Sequence, residues 1–209
     1  IVKVLRKSTG DILMITNGIG WTFEAEVVIP NHNKCVVNIL SSKYKPPKNY
    51  TVHLAVSPTK MNDRYEWFLE KATEIGVTFI TPIITHNSER KVVKTERFEK
   101  IIQSATKQSL NSYLPTLGAA VTFSEFIKTH HKGNNFIAHC VLGEKLKLKD
   151  QIKPGTSITI LIGPEGDFSP QEIASAIEND YTPVSLGNSR LRTETAAIVA
   201  CHTIQLCNE

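Results

Sequence analysis

Two stretches late in the chain carry residue types at spacings that could hold a ligand. The first is Ile162-Gly163-Pro164-Glu165-Gly166-Asp167-Phe168-Ser169, and the second runs Leu186-Gly187-Asn188-Ser189-Arg190-Leu191-Arg192-Thr193-Glu194-Thr195-Ala196. Each follows an apolar run that reads as a buried strand, carries glycine and opens onto a helix. In open α/β sheets ligands bind beyond the carboxyl ends of the strands, where glycine lets backbone amides come close. Taken singly, either loop is equally an ordinary βα connection whose glycine only makes the turn. Two of them in one half of the chain, with Arg192 and Glu194 beside the helix start, point to one shared pocket.

Other signatures are excluded. The chain has no G-x-x-x-x-G-K-[ST], so a P-loop is out. Gly18-Ile19-Gly20 lacks a third glycine and precedes a strand, which removes the dinucleotide fingerprint. Seven scattered histidines show no metal-ligand spacing, so no metal is expected. Neither serine loop has the G-x-S-x-G elbow of the common hydrolases.

The elements that must position the two loops follow from periodicity. Ile12 to Thr16 and Ile19 to Val27 flank Asn17-Gly18, a hairpin signal because both turn residues tolerate positive φ, and Lys34 to Leu40 supplies a further strand. Ser41 to Asn49, with Pro46-Pro47, breaks the pattern and marks a boundary between a domain over 1–44 and another over 50–209. Beyond it strands and helices alternate: strands over Thr51 to Val56, Thr78 to Ile84, Phe136 to Leu142, Ser157 to Ile162 and Thr182 to Leu186, with helices over Asp63 to Ile75, Thr95 to Leu110 and Thr193 to Leu206. The first helix sets Trp67, Phe68, Lys71 and Ile75 at helical spacing. Ser169-Pro170-Gln171-Glu172 has the form of a helix start: Ser as N-cap, Pro at the first position and Glu to close a capping box. The fold class is α/β, preceded by a small all-β barrel.

At 209 residues the chain is long enough for one large domain or two smaller ones, at roughly 150 residues each. Apolar residues make up 41% and charged residues 21%, which excludes a disordered tail, and no run suits a membrane span. A net charge of +4 permits a polyanionic partner without demanding one. Cys35, Cys140, Cys201 and Cys207 form no C-x-x-C pair, and no secretory signal is visible, so a reducing, cytoplasmic compartment is expected. The chain opens at Ile1 in strand-like texture, and a short preceding piece is expected.

The two loops closely resemble the C-terminal motifs of the RsmE family, 16S ribosomal RNA uracil-N3 methyltransferases of the SPOUT superfamily. The match extends to Asp63-Arg64 through Glu70-Lys71-Ala72-Thr73-Glu74-Ile75-Gly76-Val77, to Ser88-Glu89-Arg90 and to Gln108-Ser109. Val4-Leu5-Arg6 with Gly10-Asp11 resembles the family's PUA-like N-terminal barrel. Departures stand at Asp167, where the family often has glycine, at Asn188-Ser189-Arg190, where it often has Pro-Arg-Ile, and at Leu110-Asn111, where it often has Gly-Arg.

The resemblance implies a trefoil-knotted methyltransferase domain, a homodimer, S-adenosylmethionine as cofactor, and 16S rRNA or the small ribosomal subunit as partner. It places the cofactor on Leu161, Ile162, Gly163, Gly166, Leu186, Gly187, Leu191 and Thr193. Arg192 is expected to steady charge developing on the uracil carbonyls, with Glu165 as a possible proton acceptor. Arg6, Arg64, Arg90, Lys94 and Gln108 are the expected RNA contacts. The basic run from Arg90 to Lys100, interleaved with Glu89, Glu96 and Glu99, is by itself a solvated helix face. Two rivals share the fold: a ribosome-binding module without catalysis, and a SPOUT enzyme acting on transfer RNA.

Overall fold

β10, spanning Ile158–Ile162, is buried at all five of its positions, because it lies in the interior of a parallel sheet covered on both faces. The computed structural model describes residues 6–209. The strand-like start over residues 1–5, with Val4 and Leu5 of the barrel motif, lies outside the described residues. The chain divides into two units, one of residues 1–47 with 110–114, the other of 48–109 with 115–209.

In the first unit, β1 (Ile12–Thr16), β2 (Trp21–Ile29) and β3 (Val36–Tyr44) form an antiparallel sheet in that order. Leu13, Ala25 and Val27 are its buried residues. The connection between β1 and β2 differs from a two-residue turn. Thr16 pairs with Thr22, and the Asn17 carbonyl-type Oδ1 accepts the amides of Ile19 at 3.0 Å and Trp21 at 3.2 Å. Asn17 thus uses its side chain to close the loop, and positive φ falls on Gly18 and Gly20 instead. β3 also runs on to Tyr44, since Ser41, Ser42 and Lys43 pair with β2 despite their polarity. Residues 110–114 complete the unit: Gly20 N–H donates to Ser112 O and Leu114 N–H to Gly18 O, each at 2.9 Å. The expected helix through Leu110 therefore stops early, and Leu110 takes a left-handed φ of 55°.

The second unit holds β4 (Val52–Val56), α1 (Asn62–Ile75), β5 (Phe79–Ile84), α2 (Thr95–Gln108), β6 (Thr116–Leu117), β7 (Val121–Thr122), α3 (Phe123–Ile127), β8 (Asn134–Ala138), β9 (Leu146–Lys147), α4 (Leu148–Gln151), β10, α5 (Pro170–Glu178), β11 (Tyr181–Ser185) and α6 (Thr193–Leu206). The sheet order is β6-β5-β4-β10-β8-β11-β9, with β7 also on β5, and the pairings are parallel. Strand alternation divides the core in two. Leu54, Val56, Ile160 and Ile162 pack with Phe68, Leu69, Ala197 and Ile204, while Ala55, Leu161 and Ile137 pack with Phe123, Phe126, Phe168 and Ile173. Truncating one such side chain, as in Leu161→Ala, costs about 2–5 kcal/mol.

α1 buries Tyr65, Phe68, Leu69, Ala72 and Thr73, whereas Trp67, expected on that face, is exposed. Residues 65, 68, 69 and 72 share one helical stripe, and 67 lies off it. α3 was not legible as a helix, yet Thr122 and Glu125 close a capping box around it. The Ser169–Glu172 box forms as expected: Glu172 N–H donates to Ser169 Oγ at 3.2 Å and Ser169 N–H to Glu172 Oε2 at 2.9 Å. Among the described residues no helix is long and apolar enough to cross a membrane.

Candidate functional site

β8, β10 and β11 are neighbours in the order β10-β8-β11, so the loops leaving their carboxyl ends gather at one edge of the sheet. A cavity of about 630 Å³ lies there, lined by residues 138–143 at and beyond the end of β8, Lys145, Asp167, residues 184–191 at and beyond the end of β11, and Ala196. Its size suits a small-molecule ligand.

The wall nearest β10 is built inward. Gly163 packs under Phe168, whose ring atoms stand 3.1 Å from where a Cβ would project, so a side chain at Gly163 would have to push the ring aside by a few tenths of an ångström. Asp167 N–H donates to Pro164 O at 2.9 Å, and Asp167 takes φ of 60°. Its Oδ2 accepts the Cys140 amide at 2.7 Å, and its Oδ1 accepts the Phe168 amide at 2.8 Å. Thr193 Oγ–H donates to Gly163 O at 3.0 Å, tying the first turn of α6 to the first glycine loop.

The opposite wall is the β11–α6 loop. Gly187 has φ of 143°, a region L side chains rarely adopt, and nothing stands within 4 Å of a Cβ placed there. Its backbone is therefore open to the cavity, which is what close approach of a ligand requires. The third wall, residues 139–143, is stiffened from within: Lys145 Nζ donates to His139 O and Val141 O, both at 2.7 Å. His139 Nδ1 is buried without a hydrogen-bond partner among the described residues. Burial, and next the Lys145 ammonium, hold its imidazole below the usual range, while the Asp167 carboxylate pulls the other way.

Of the expected cofactor residues, Leu186, Gly187 and Leu191 line the cavity. Leu161, Ile162, Gly163 and Thr193 are buried behind it and support it. Gly166 is exposed and faces Asn87, whose Nδ2 donates to Gly166 O at 3.0 Å. Arg192 is the exposed N-cap residue of α6, with extended backbone and no side-chain cap bond. Glu165 is exposed, and its Oε1 accepts the Lys60 amide at 3.1 Å.

The expected RNA contacts separate by partner. Arg6, in the first unit, is exposed, as are Lys94 at the N-cap of α2 and Gln108 at its last turn. Arg64 Nε stands 3.9 Å from Glu194 Oε1. Arg90 Nη2 donates to Lys60 O at 3.0 Å. In the basic run, Arg97 is committed to Glu66 at 2.6 Å. The 139–145 loop was missed because Phe136 to Leu142 reads as one apolar strand. The strand ends at Ala138, and Leu142 is 98% exposed at the cavity rim. A parallel strand between two ligand-binding strands must send its own loop to the same edge, and that was the available signal.

Residues 46–205 match the model of the RNA methyltransferase domain, and residues 1–40 that of the RNA methyltransferase PUA domain. The chain belongs to the RNA methyltransferase domain family. It is 32% identical to the ribosomal RNA small subunit methyltransferase E of Rickettsia conorii, over 99% of this chain and 85% of that protein. Its fold is similar to the crystal structure of a probable rRNA-methyltransferase from Porphyromonas gingivalis, with a TM-score of 0.90 and 39% identity over 99% of this chain and 90% of that one. It is also similar to a ribosomal RNA small subunit methyltransferase E from Neisseria gonorrhoeae crystallised with S-adenosyl methionine, with a TM-score of 0.89 and 26% identity over 99% and 87% of the two chains. In this RNA methyltransferase two of the departures from the RsmE pattern, Asp167 and Leu110, are residues held at positive φ where a glycine would be at ease.

Proposed function

We propose that this RNA methyltransferase transfers a methyl group from S-adenosylmethionine to N3 of a specific uridine in 16S ribosomal RNA, acting as a cytoplasmic homodimer. The observation that carries the reading is the cavity between the loops after β8 and β11, backed by the β10 loop, in a chain of this family. Its volume, the open backbone at Gly187 and the unpartnered His139 Nδ1 fit an adenine nucleoside with polar edges. When bound, the cofactor supplies an activated methyl on a sulfonium.

Leu186, Gly187 and Leu191 hold the nucleoside, with Leu161, Ile162, Gly163, Gly166 and Thr193 fixing the loops around it. The protein's share of the rate is mainly alignment of an in-line displacement. Arg192, fixed at the start of α6, answers negative charge on the uracil carbonyls as N3 loses its proton. Glu165 is the assigned proton acceptor, steadied by the Lys60 amide. Arg6, Arg64, Arg90, Lys94 and Gln108 engage RNA, Arg64 and Arg90 from geometry fixed by Glu194 and Lys60 O. The first unit serves as the PUA-like barrel over 1–44, and 50–209 as the transferase domain. A trefoil knot belongs to the same reading: β10 inserts between β4 and the earlier-laid β8. Exposed Leu142 and Leu206 supply apolar surface for the dimer.

Mass-spectrometric mapping of small-subunit RNA from cells with and without the gene tests the function. Loss of one N3-methyluridine on deletion supports it. An unchanged ribosomal RNA with an altered transfer RNA would favour the transfer-RNA enzyme instead, and no change in either RNA would favour the non-catalytic module.

A further inference from the structure

The cavity wall after β8 has few anchors of its own. Its apolar residues Val141 and Leu142 are exposed, and the Lys145 bonds come from within the loop itself, stiffening it without mooring it to the sheet. Asp167 comes from outside. Its two carboxylate oxygens bridge the Phe168 amide on its own loop and the Cys140 amide on the wall, at 2.8 and 2.7 Å. A carboxylate accepting backbone N–H groups makes the stronger, charge-assisted kind of hydrogen bond. The chain keeps this residue at φ of 60°, where glycine would be unstrained but would offer no acceptor.

We infer that Asp167 is a positioning residue that latches the 139–143 wall onto the β10 loop and thereby preforms the cofactor cavity. The inference rests on the cofactor reading above. A preformed wall spares the ordering of a loop on binding, so the latch acts on cofactor affinity rather than on the transfer step.

Asp167→Gly is the decisive variant, because glycine accepts the left-handed backbone and the fold survives. Three measurements are made on the full chain: exchange of the Cys140 amide in the free protein, calorimetry with S-adenosylhomocysteine as probe, and steady-state kinetics. Opening the latch should speed Cys140 exchange by about ten-fold or more and weaken the probe by about ten-fold. The KM for S-adenosylmethionine should rise by more than kcat falls. Asp167→Asn, which keeps one amide acceptor, should recover part of the affinity, while the His139 resonances titrate at lower pH than in the parent because the nearby negative charge is gone. Unchanged Cys140 exchange together with probe affinity within about two-fold of the parent in Asp167→Gly would overturn the latch. Failure of the parent to bind the probe would overturn the cofactor reading instead, and the exchange rate alone would then decide for or against the latch.

Discussion

Arg64 Nε faces Glu194 Oε1 at 3.9 Å, and Glu194, 7% exposed, keeps its other carboxylate oxygen buried without a hydrogen bond to any of the described residues. The Arg64 side chain is 38% exposed, so the pair lies at the edge of the core. Removing the cation leaves a buried carboxylate uncompensated, which costs more than the pair contributes. Arg64→Ala should lose about 1–3 kcal/mol in urea denaturation. Glu194→Gln should lose much less, because an amide needs no counter-charge. Equal losses in the two variants would show that the lost pair itself, not a carboxylate left without its counter-charge, sets the cost.

His53 gives stability a pH dependence. It is largely buried between Phe79, Phe126 and His131, with Nε2 2.9 Å from Thr81 Oγ1. Burial first, and His131 second, lower its pKa to about 4. A group held neutral in the fold but protonated when unfolded contributes stability above the unfolded pKa of about 6.5, and that contribution drains as pH falls toward 4. The loss attributable to His53 is on the order of 3 kcal/mol. His131 and His139 are shifted in the same direction and add to the trend. Urea midpoints measured from pH 7 down to 4 should fall, and His53→Gln should flatten the fall. Parallel pH profiles for parent and variant would remove His53 as the cause.

Gly187 tests the cavity itself. At φ of 143° any side chain strains the backbone, and its Cβ would project into empty space rather than into protein. Gly187→Val should therefore cost about 1–3 kcal/mol of stability and also weaken S-adenosylhomocysteine by more than ten-fold. An unchanged calorimetric affinity would detach the loop from the site.

The interior of the second unit was legible in the sequence because parallel strands covered on both faces must be apolar without interruption, as Ile158 to Ile162 is. α6 was read to the residue, Thr193–Leu206, since an apolar helix flanked by Arg192 and Cys207 has few alternative frames. The same rule misled at β8, where Val141 and Leu142 continue the apolar texture beyond the last ladder pair and turn out to line the cavity rim. Residues 110–114 escaped because their partners, Gly18 and Gly20, are remote in sequence and local periodicity carries no record of them. Of the site, the two glycine loops were visible. The Asp167–Cys140 bond was not, since a carboxylate reaching a backbone amide 27 residues away leaves no sequence pattern.

Arg192 and Arg6 should fail in different ways. Arg192 caps α6 with no hydrogen bond from its own side chain to the helix, so Arg192→Ala should leave the fold and cofactor affinity largely intact. A cation that answers charge only as N3 is deprotonated lowers the transfer rate more than it weakens binding. The expected loss is about a hundred-fold or more in single-turnover methylation at saturating RNA and cofactor. Arg6, exposed in the first unit, would meet RNA through phosphate, so Arg6→Ala should raise the RNA concentration needed. Its defect in RNA affinity should narrow as salt is raised and widen as salt is lowered, because a protein with one phosphate contact fewer loses affinity less steeply with salt than the parent. An Arg192→Ala enzyme within a few-fold of the parent single-turnover rate would make Arg192 a surface residue, and the charge on the uracil carbonyls would have to be met elsewhere, with Arg64 the next cation to test.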